Sequence, residues 1–393
     1  MIKHIIILIW AQKKKYLTII SEHVLVFAIL MICMISLLEA IAKYRAPGLL
    51  DSKNTIYVGY MVHSGFSEQN LTQIGNTMDL IIERLQKRSY VEAISESIQF
   101  IPFVRPPENF WADSLRLSSG EKVYAHIKAT DAAAEKVFSP QLEQGHWFQD
   151  GERPNGKYPA VVTAQFVQKA GLDTPIGKEV NIGSLAYEIV GVISGLKESV
   201  FEESLASVVV PISSWNRIAF YREYAAKIHS GYEDDFYSDY FKEFAHMGNL
   251  SQYVEPILSR MSKWQIDTMT KTVSEVTFTT VPTFFLFLFA FLGTMGLNLL
   301  DVRNRMKEFA LRIALGATRQ DAIKLIIFQN IFVSLIATIP GLALVILTYD
   351  FNLIVLAAII STLIIIFLFA VLSVIYPALS IYKMNPALSL KYE

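Results

Sequence analysis

The chain has 393 residues, 52% of them hydrophobic, and a formal net charge of −1. The apolar residues fall into long runs, which is typical of a membrane protein and argues against a wholly soluble chain. The near-zero net charge gives no argument for a nucleic-acid partner, and the single cysteine, Cys33, excludes a disulfide within the chain.

A short apolar stretch, Ile5–Trp10, precedes three lysines at 13–15. We interpret residues 1–15 as a cytoplasmic interfacial helix that lies on the membrane lipid. The alternative is a simple cytoplasmic extension of the span that follows.

The next apolar run predicts a first membrane span at residues 16–42. Val24–Leu38 contains no charged residue, and extending the helix back to Tyr16 gives the roughly 20 residues that a span needs. A cleaved signal peptide is the alternative, because lysines precede the run and Ala40-Ile41-Ala42 has the A-x-A pattern. We favour a retained anchor, since the basic region would be unusually long for a signal peptide.

Residues 43–276 are too many for a loop and have the composition of a globular domain. Apolar residues recur at helical spacing in Glu68–Lys87, whereas Glu188–Ile193 and Ser207–Pro211 are rich in the β-branched residues of strands. The mixture predicts an α+β domain. Residues 251–276 are expected to form a stalk helix that leads into the next span.

Catalytic and cofactor motifs give little signal in this domain. Gly171–Lys178 resembles a phosphate-binding loop, but five residues separate its glycines and Glu179 replaces the Ser or Thr that would hold magnesium. The motifs H-E-x-x-H, G-x-S-x-G and C-x-x-C are absent from the sequence. We therefore predict no catalytic residue, no bound cofactor and no metal site in this chain.

One segment of the domain, Gly231–Phe241, mixes four carboxylates with five aromatic residues. It is a candidate surface for an outer partner, because aromatic side chains supply contact area at interfaces. The residues proposed for this surface are Tyr232, Asp234, Asp235, Phe236 and Tyr240. The alternative is a solvated helix or loop whose rings face their own core.

Three more spans are predicted, at residues 277–300, 325–349 and 353–376. Basic residues concentrate at the N-terminus, in the 301–324 loop and in the tail 377–393, whereas the short turn at 350–352 has none. Cytoplasmic segments are enriched in Lys and Arg, so both termini and the loop are expected in the cytoplasm and the α+β domain outside. The predicted fold is an α-helical membrane protein with four spans in a one-plus-three order and a large extracytoplasmic α+β domain.

The loop at residues 301–324 has its own helical signals. Glu308–Leu315 consists largely of strong helix formers, and Gly316 can supply the left-handed residue that ends a helix. Thr318 with Asp321 resembles a capping box that starts the next helix. The pattern predicts a rigid elbow at the membrane surface. The alternative is a basic anchor that only sets the topology.

Lys307–Arg319 resembles the E-I-A-x-R-x-A-L-G-A-[ST]-R motif of FtsX-like, MacB-type ABC transporter permeases. The tail, with Tyr376-Pro377-Ala378 and Asn385–Glu393, is similar to the ending of that family. Segments in the outer domain are similar to its periplasmic core domain: Leu142–Phe148, Pro175–Lys178 and Tyr187–Ile193. The resemblance runs through most of the chain and includes the one-plus-three span order.

This resemblance implies a permease subunit of the inner (cytoplasmic) membrane that is not itself an enzyme. ATP and Mg would be used by a separate ABC ATPase subunit, and a second permease, identical or different, would complete a dimer. The loop would correspond to a coupling helix that docks on the ATPase. The docking residues would be Arg305, Glu308, Phe309, Arg312, Ile313, Leu315, Gly316, Ala317 and Arg319.

The family's activity would be mechanotransmission, in which ATP hydrolysis moves the outer domains to export or extract a peptide, drug or lipoprotein. An alternative is signalling that activates an envelope hydrolase or senses antimicrobial peptides, and a periplasmic adaptor is a further candidate partner. Ile313 stands where a basic residue is common, and the 350–352 turn is shorter than the outer loop often found there. A third reading is an anchor unrelated to ABC transporters whose outer domain only binds a ligand.

Overall fold

The computed structural model describes residues 13–63, 68–104, 112–215 and 222–383. It divides into an outer unit, Lys43–Thr272, and a membrane unit made of Met1–Ala42 and Val273–Glu393. The described α-helices are α1 Lys13–Arg45, α2 Glu68–Gln86, α3 Ala134–Phe138, α4 Ala164–Lys169, α5 Glu233–Phe244, α6 Met261–Asn304, α7 Met306–Ala314, α8 Arg319–Thr348 and α9 Leu353–Tyr382. The described strands are β1 Thr55–Val62, β2 Val91–Ile98, β3 Ala112–Leu117, β4 Lys122–Thr130, β5 Leu142–Gly145, β6 Tyr158–Thr163, β7 Glu179–Ile182, β8 Leu185–Ile193, β9 Ser207–Pro211, β10 Glu223–Ile228 and β11 Val254–Arg260.

The strands of the outer unit form one mixed sheet. Their order is β11-β1-β10-β2-β4-β3-β7-β8-β6-β9, and β5 pairs with β8. The pairs β4–β9 and β6–β8 are parallel, whereas the other described pairs are antiparallel. Apolar side chains of α2 and α5 pack with those of β1, β2 and β10 to form one of the buried cores.

The helix predicted at 68–87 is confirmed as α2, and the predicted strands at 188–193 and 207–211 are confirmed within β8 and β9. The β9 segment is buried along its whole length, which explains its continuous apolar sequence. In α2, Ile74, Met78 and Leu85 lie on the buried face, as their helical spacing predicts.

The stalk helix predicted at 251–276 is wrong over its first part. Residues 254–260 form β11, which pairs antiparallel with β1 from Val62↔Val254 to Ile56↔Arg260, and α6 begins only at Met261. The hydrogen bonds that β1 offers decide the conformation here, because local apolar spacing was compatible with either element. Pro256 fits this strand because β11 lies at the edge of the sheet.

Four described helices are long and apolar enough to cross a membrane: α1, α6, α8 and α9. α6 is the longest, with 44 residues, and it contains Pro282. The predicted interfacial helix at 1–15 lies almost wholly outside the described residues, as does the tail from residue 384 onward.

Close packing and buried polar groups join the helices of the membrane unit. Gly341 on α8 leaves room for the ring of Phe27 on α1, because a Cβ at this glycine would lie 2.2 Å from Cδ1 of that ring. Between α8 and α9, Asn330 donates to the carbonyl of Ala370 (2.8 Å) and to Oγ of Ser373 (2.9 Å). Such polar contacts stabilise helix pairs in a medium that supplies no hydrophobic force between them.

Candidate functional site

Helix α7 lies in the loop between α6 and α8, and it ends in a Schellman motif. Gly316 has the left-handed conformation, with φ of 103°. Its N–H donates to the carbonyl of Ile313 (3.1 Å), and the N–H of Ala317 donates to the carbonyl of Arg312 (2.9 Å). The predicted glycine break is therefore confirmed, and it satisfies carbonyl groups that the helix end would otherwise leave open.

A capping box starts α8 two residues after this glycine. Oγ1 of Thr318 accepts from the backbone N–H of Asp321 (3.2 Å), and Oδ2 of Asp321 accepts from the N–H of Thr318 (3.1 Å). Arg319 donates to the carbonyl oxygen of Tyr382 (2.5 Å), which joins the start of α8 to the end of α9. The predicted cap is confirmed. The end of α7 and the start of α8 therefore both have a defined backbone geometry.

The inner face of α7 is packed against the membrane unit. The side chains of Phe309 and Ala310 are fully buried, with exposed fractions of 0%. They share one apolar cluster with residues of α6, α8 and α9, among them Val302, Ile326 and Val374. Fully burying a side chain of this size contributes about 1.5–3 kcal/mol, so the cluster fixes α7 to its neighbours.

A chain of charges runs beside this apolar cluster. Arg305, only 7% exposed, donates through Nε to Glu308 (2.9 Å) and through Nη1 to Gln329 (3.2 Å), and it pairs with Asp301 (3.5 Å). Glu308 in turn pairs with Arg312 (2.7 Å). Burial works to raise the pKa of Glu308, but the hydrogen bonds and charges of Arg305 and Arg312 hold it below its ordinary value.

The outer face of α7 is apolar at its centre. Leu311 is 53% exposed and Leu315 just after the helix is 80% exposed, while Lys307 and Ala314 are exposed beside them. Leu311 was not among the predicted docking residues. Helical spacing could have found it, because two residues correspond to about 200° and put Leu311 opposite the buried Phe309.

The structure divides the predicted docking residues into two groups. The exposed or half-buried ones are Glu308, Arg312, Ile313, Leu315, Gly316, Ala317 and Arg319. The other two, Arg305 and Phe309, are buried under the helix. The prediction that these two side chains contact a partner directly is therefore corrected. Their packing against α6 and α8 leaves them almost no exposed surface, and they hold α7 in place instead.

The candidate outer surface on α5 is wrong for Phe236 and Tyr240. Both rings are fully buried in the core beneath the sheet, as the alternative interpretation of this segment predicted. Tyr232 remains 45% exposed and stacks on Tyr90 with ring centroids 5.4 Å apart, and Asp234 and Asp235 are exposed. The apolar face of an amphipathic helix accounts for the two buried rings.

The described residues include no group of three or more His, Cys, Asp or Glu side chains that could hold a metal ion. The stretch Gly171–Lys178, which resembles a phosphate loop, connects α4 to β7. The N–H of Gly177 donates to the carbonyl of Ile189 (2.8 Å), so this backbone group serves the fold of the domain.

Two family models match the chain. The MacB-like periplasmic core domain matches residues 26–236, and the FtsX-like permease C-terminal model matches residues 281–386, which include α7. The chain belongs to the MacB-like, FtsX-like permease family. It is thus a multi-pass membrane protein and a membrane permease component of this family of ABC transporters.

A curated relative is the pyoverdine export ATP-binding/permease protein PvdT of Pseudomonas fluorescens (strain Pf0-1). It is 22% identical over 233 residues, which are 57% of this chain and 35% of that protein. This permease therefore matches about a third of the length of its relative.

Solved structures of outer regions are also similar. The periplasmic region of MacB from Actinobacillus actinomycetemcomitans is 14% identical and covers 57% of this chain and 94% of that one, with a TM-score of 0.37. The extracellular domain of the noncanonic ABC-type transporter YknZ from Gram-positive bacteria is 18% identical and covers 52% of this chain and 100% of that one, with a TM-score of 0.34.

Proposed function

We propose that this permease docks on a separate ABC ATPase subunit through the outer face of α7 and transmits ATP-driven movement to its outer domain. One observation carries the proposal. A nine-residue helix is fixed from below by Phe309 and Arg305, and it presents Leu311 and Leu315 on its exposed side. The two leucines offer a partner apolar contact area, as the docking role requires.

The chemistry of this face fits a helix-in-groove contact. Protein interfaces have an apolar centre and a polar rim, and an amphipathic helix commonly lays its apolar face into a groove of its partner. Leu311 and Leu315 supply the centre, and Lys307 and Arg312 supply the charged rim. The rigid support under α7 allows a push on its outer face to move α6 and α8, because the three helices share one buried cluster.

The proposed docking role implies further subunits and a membrane orientation. ATP and Mg are used by the partner ATPase, and a second permease subunit completes the dimer. In this proposal both termini and α7 lie on the cytoplasmic side of the inner membrane and α1, α6, α8 and α9 are the spans; the positive-inside distribution supports this orientation. Helix α6 continues from the end of β11 to the start of α7, so it offers a direct mechanical connection along the chain.

The direction of transport that we propose is outward, because the curated relative is named for the export of pyoverdine. The cargo class is a peptide, a drug or a lipoprotein. Recovery of a periplasmic adaptor with the native complex supports export, whereas recovery of an envelope hydrolase supports signalling.

The docking proposal is tested with Leu311→Asp in the full chain. A charge at the centre of an apolar contact removes a hot-spot interaction of about 2 kcal/mol or more, so ATPase recovery on affinity purification should fall more than tenfold. Leu80→Asp is the matched control, because Leu80 on α2 of the outer unit has the same 53% exposure. Equal recovery with both variants, or no ATPase with the natural sequence, contradicts the proposal.

A further inference from the structure

An acidic side chain stands in a cleft between two candidate membrane helices. The cleft has a volume of about 280 Å³ and lies between α1 and α6, with Glu22, Leu25, Thr283, Phe289 and Ala290 among its lining residues. Glu22 is half-buried. In the part of the chain that the structure describes, no basic side chain forms an ion pair with it, and the polar group beside it is the hydroxyl of Thr294 on α6.

The carboxylate of Glu22, on α1, lies beside the apolar part of α6. Its Oε1 is 3.3 Å from the position that a Cβ would take at Gly293, so the two helices are close at this point. Gly293 precedes Leu300 by seven residues, and no charged residue occurs between Val276 and Leu300. Seven residues of helix correspond to about 10 Å of depth. Ionisable groups at such depth are costly and most often serve a ligand, an ion or a proton.

The rest of the cleft is apolar, and it opens at the surface of the membrane unit. Leu25 and Phe289 form its walls, and both are largely exposed at the surface of the membrane unit. The volume is just below the range of about 300–1,000 Å³ that is typical of small-molecule sites. It therefore suits a ligand with one short chain better than a two-chain lipid.

We propose that this cleft binds a single-chain cationic amphiphile, with the ammonium group on Glu22 and the alkyl chain between Leu25 and Phe289. Charge complementarity supports this occupant, because a carboxylate whose polar neighbour is the neutral hydroxyl of Thr294 attracts a cation that brings its own apolar surface. A neutral chain would leave the carboxylate unpaired, and an anionic one would be repelled. The site requires no ATPase and is independent of the docking role of α7.

The test measures binding of decyltrimethylammonium to the full chain in phosphatidylcholine nanodiscs, with empty nanodiscs as the blank for partition into lipid. We expect one saturable site per chain, and at least tenfold weaker binding to Glu22→Gln. The matched control, Glu39→Gln on the same helix, lies outside the cleft and should stay within twofold of the natural chain. Decanol, with the same chain and no charge, should show no saturable site.

A second variant keeps the carboxylate and removes a wall of the cleft. Phe289→Ala should weaken binding several-fold, whereas Phe284→Ala, equally exposed on the same helix but outside the cleft, should not. The proposal is overturned if the natural chain shows no saturable binding, or if Glu22→Gln and Phe289→Ala bind as the natural chain does. The former result is also expected if a helix of a second permease fills the cleft.

Discussion

Arg305 carries a positive charge into the packing beneath α7, where it meets three polar partners on three helices. Its contacts with Asp301, Glu308 and Gln329 satisfy much of the guanidinium, and its carbon Cζ lies 5.1 Å from the centre of the Phe309 ring. A buried charge is tolerated only with such partners, since its removal from water is costly. Arg305 thus holds α7 against the neighbouring helices and balances the charges of Asp301 and Glu308.

Replacing this arginine should destabilise the membrane unit. Arg305→Met removes the buried cation beside Asp301 and leaves Glu308 with Arg312 alone, and breaking a buried pair in this way costs about 3 kcal/mol. Arg303→Met is the control, because Arg303 is exposed two residues earlier. Thermal unfolding of the full chain in a nonionic detergent measures the difference, and restoration by a second change, Asp301→Asn, would show that the carboxylate left without Arg305 causes the loss. Equal unfolding temperatures of the two arginine variants would refute this account.

A buried carboxylate in the outer unit gives a pH-dependent prediction. Burial raises the pKa of Glu223 from 4.5 to about 7, although the nearby Lys128 lowers it. The folded-state pKa of Glu223 is above the unfolded one. The contribution of its neutral carboxyl group to the free energy of unfolding is therefore complete below about pH 4.5 and is lost as the pH rises through 7. Glu223→Gln removes this loss, so it should raise the free energy of unfolding by up to about 3 kcal/mol at pH 8 and by little at pH 4.

The measurement is the unfolding temperature of the full chain across this pH range. Glu203→Gln serves as the control, since Glu203 is exposed. A gain from Glu223→Gln that is the same at pH 4 and pH 8 would show that ionisation of this carboxylate does not limit stability.

Among the elements, the caps around α7 were predictable from sequence because their signals are local. A left-handed glycine and a capping box each involve residues within a few positions of one another. The strand β11 was not predictable in this way, because its conformation depends on hydrogen bonds with β1, about 200 residues earlier in the chain. The same limit applied to Phe309. The resemblance to the family motif marked it as a docking residue, and only the packing of α6, α8 and α9 showed it to be buried.

The Schellman motif yields a prediction at this scale. Gly316→Ala introduces a Cβ that meets no atom within 4 Å, so the cost comes from the left-handed backbone alone and should be about 1–2 kcal/mol. Gly296→Ala is the matched control, since its Cβ also meets nothing within 4 Å but its backbone is helical. That change should be neutral or stabilise the chain by up to about 1 kcal/mol. Unfolding temperatures that move in the same direction for both variants would rule out backbone strain as the cause.

At the scale of the whole molecule, the proposed function requires that two properties of α7 be separable. In the proposed function its outer face would decide whether an ATPase binds, and its buried face would decide whether a bound ATPase can move the permease. Leu311 belongs to the first property and Phe309 to the second, because one is exposed and the other fully buried. Substitutions at these two positions should therefore produce different defects.

Phe309→Ala should uncouple ATP hydrolysis from movement of the outer domain. Loss of a buried phenylalanine costs about 3–5 kcal/mol, which loosens α7 from α6 and α8 while leaving Leu311 and Leu315 available to the ATPase. We expect ATPase recovery within twofold of the natural complex. The ATP-dependent change in distance between spin labels at Ser119→Cys in the two outer domains should fall to less than half. Phe284→Ala, a change at an exposed position on α6 outside this packing, should preserve the full change in distance. A full change with Phe309→Ala would show that force does not pass through the packing beneath α7.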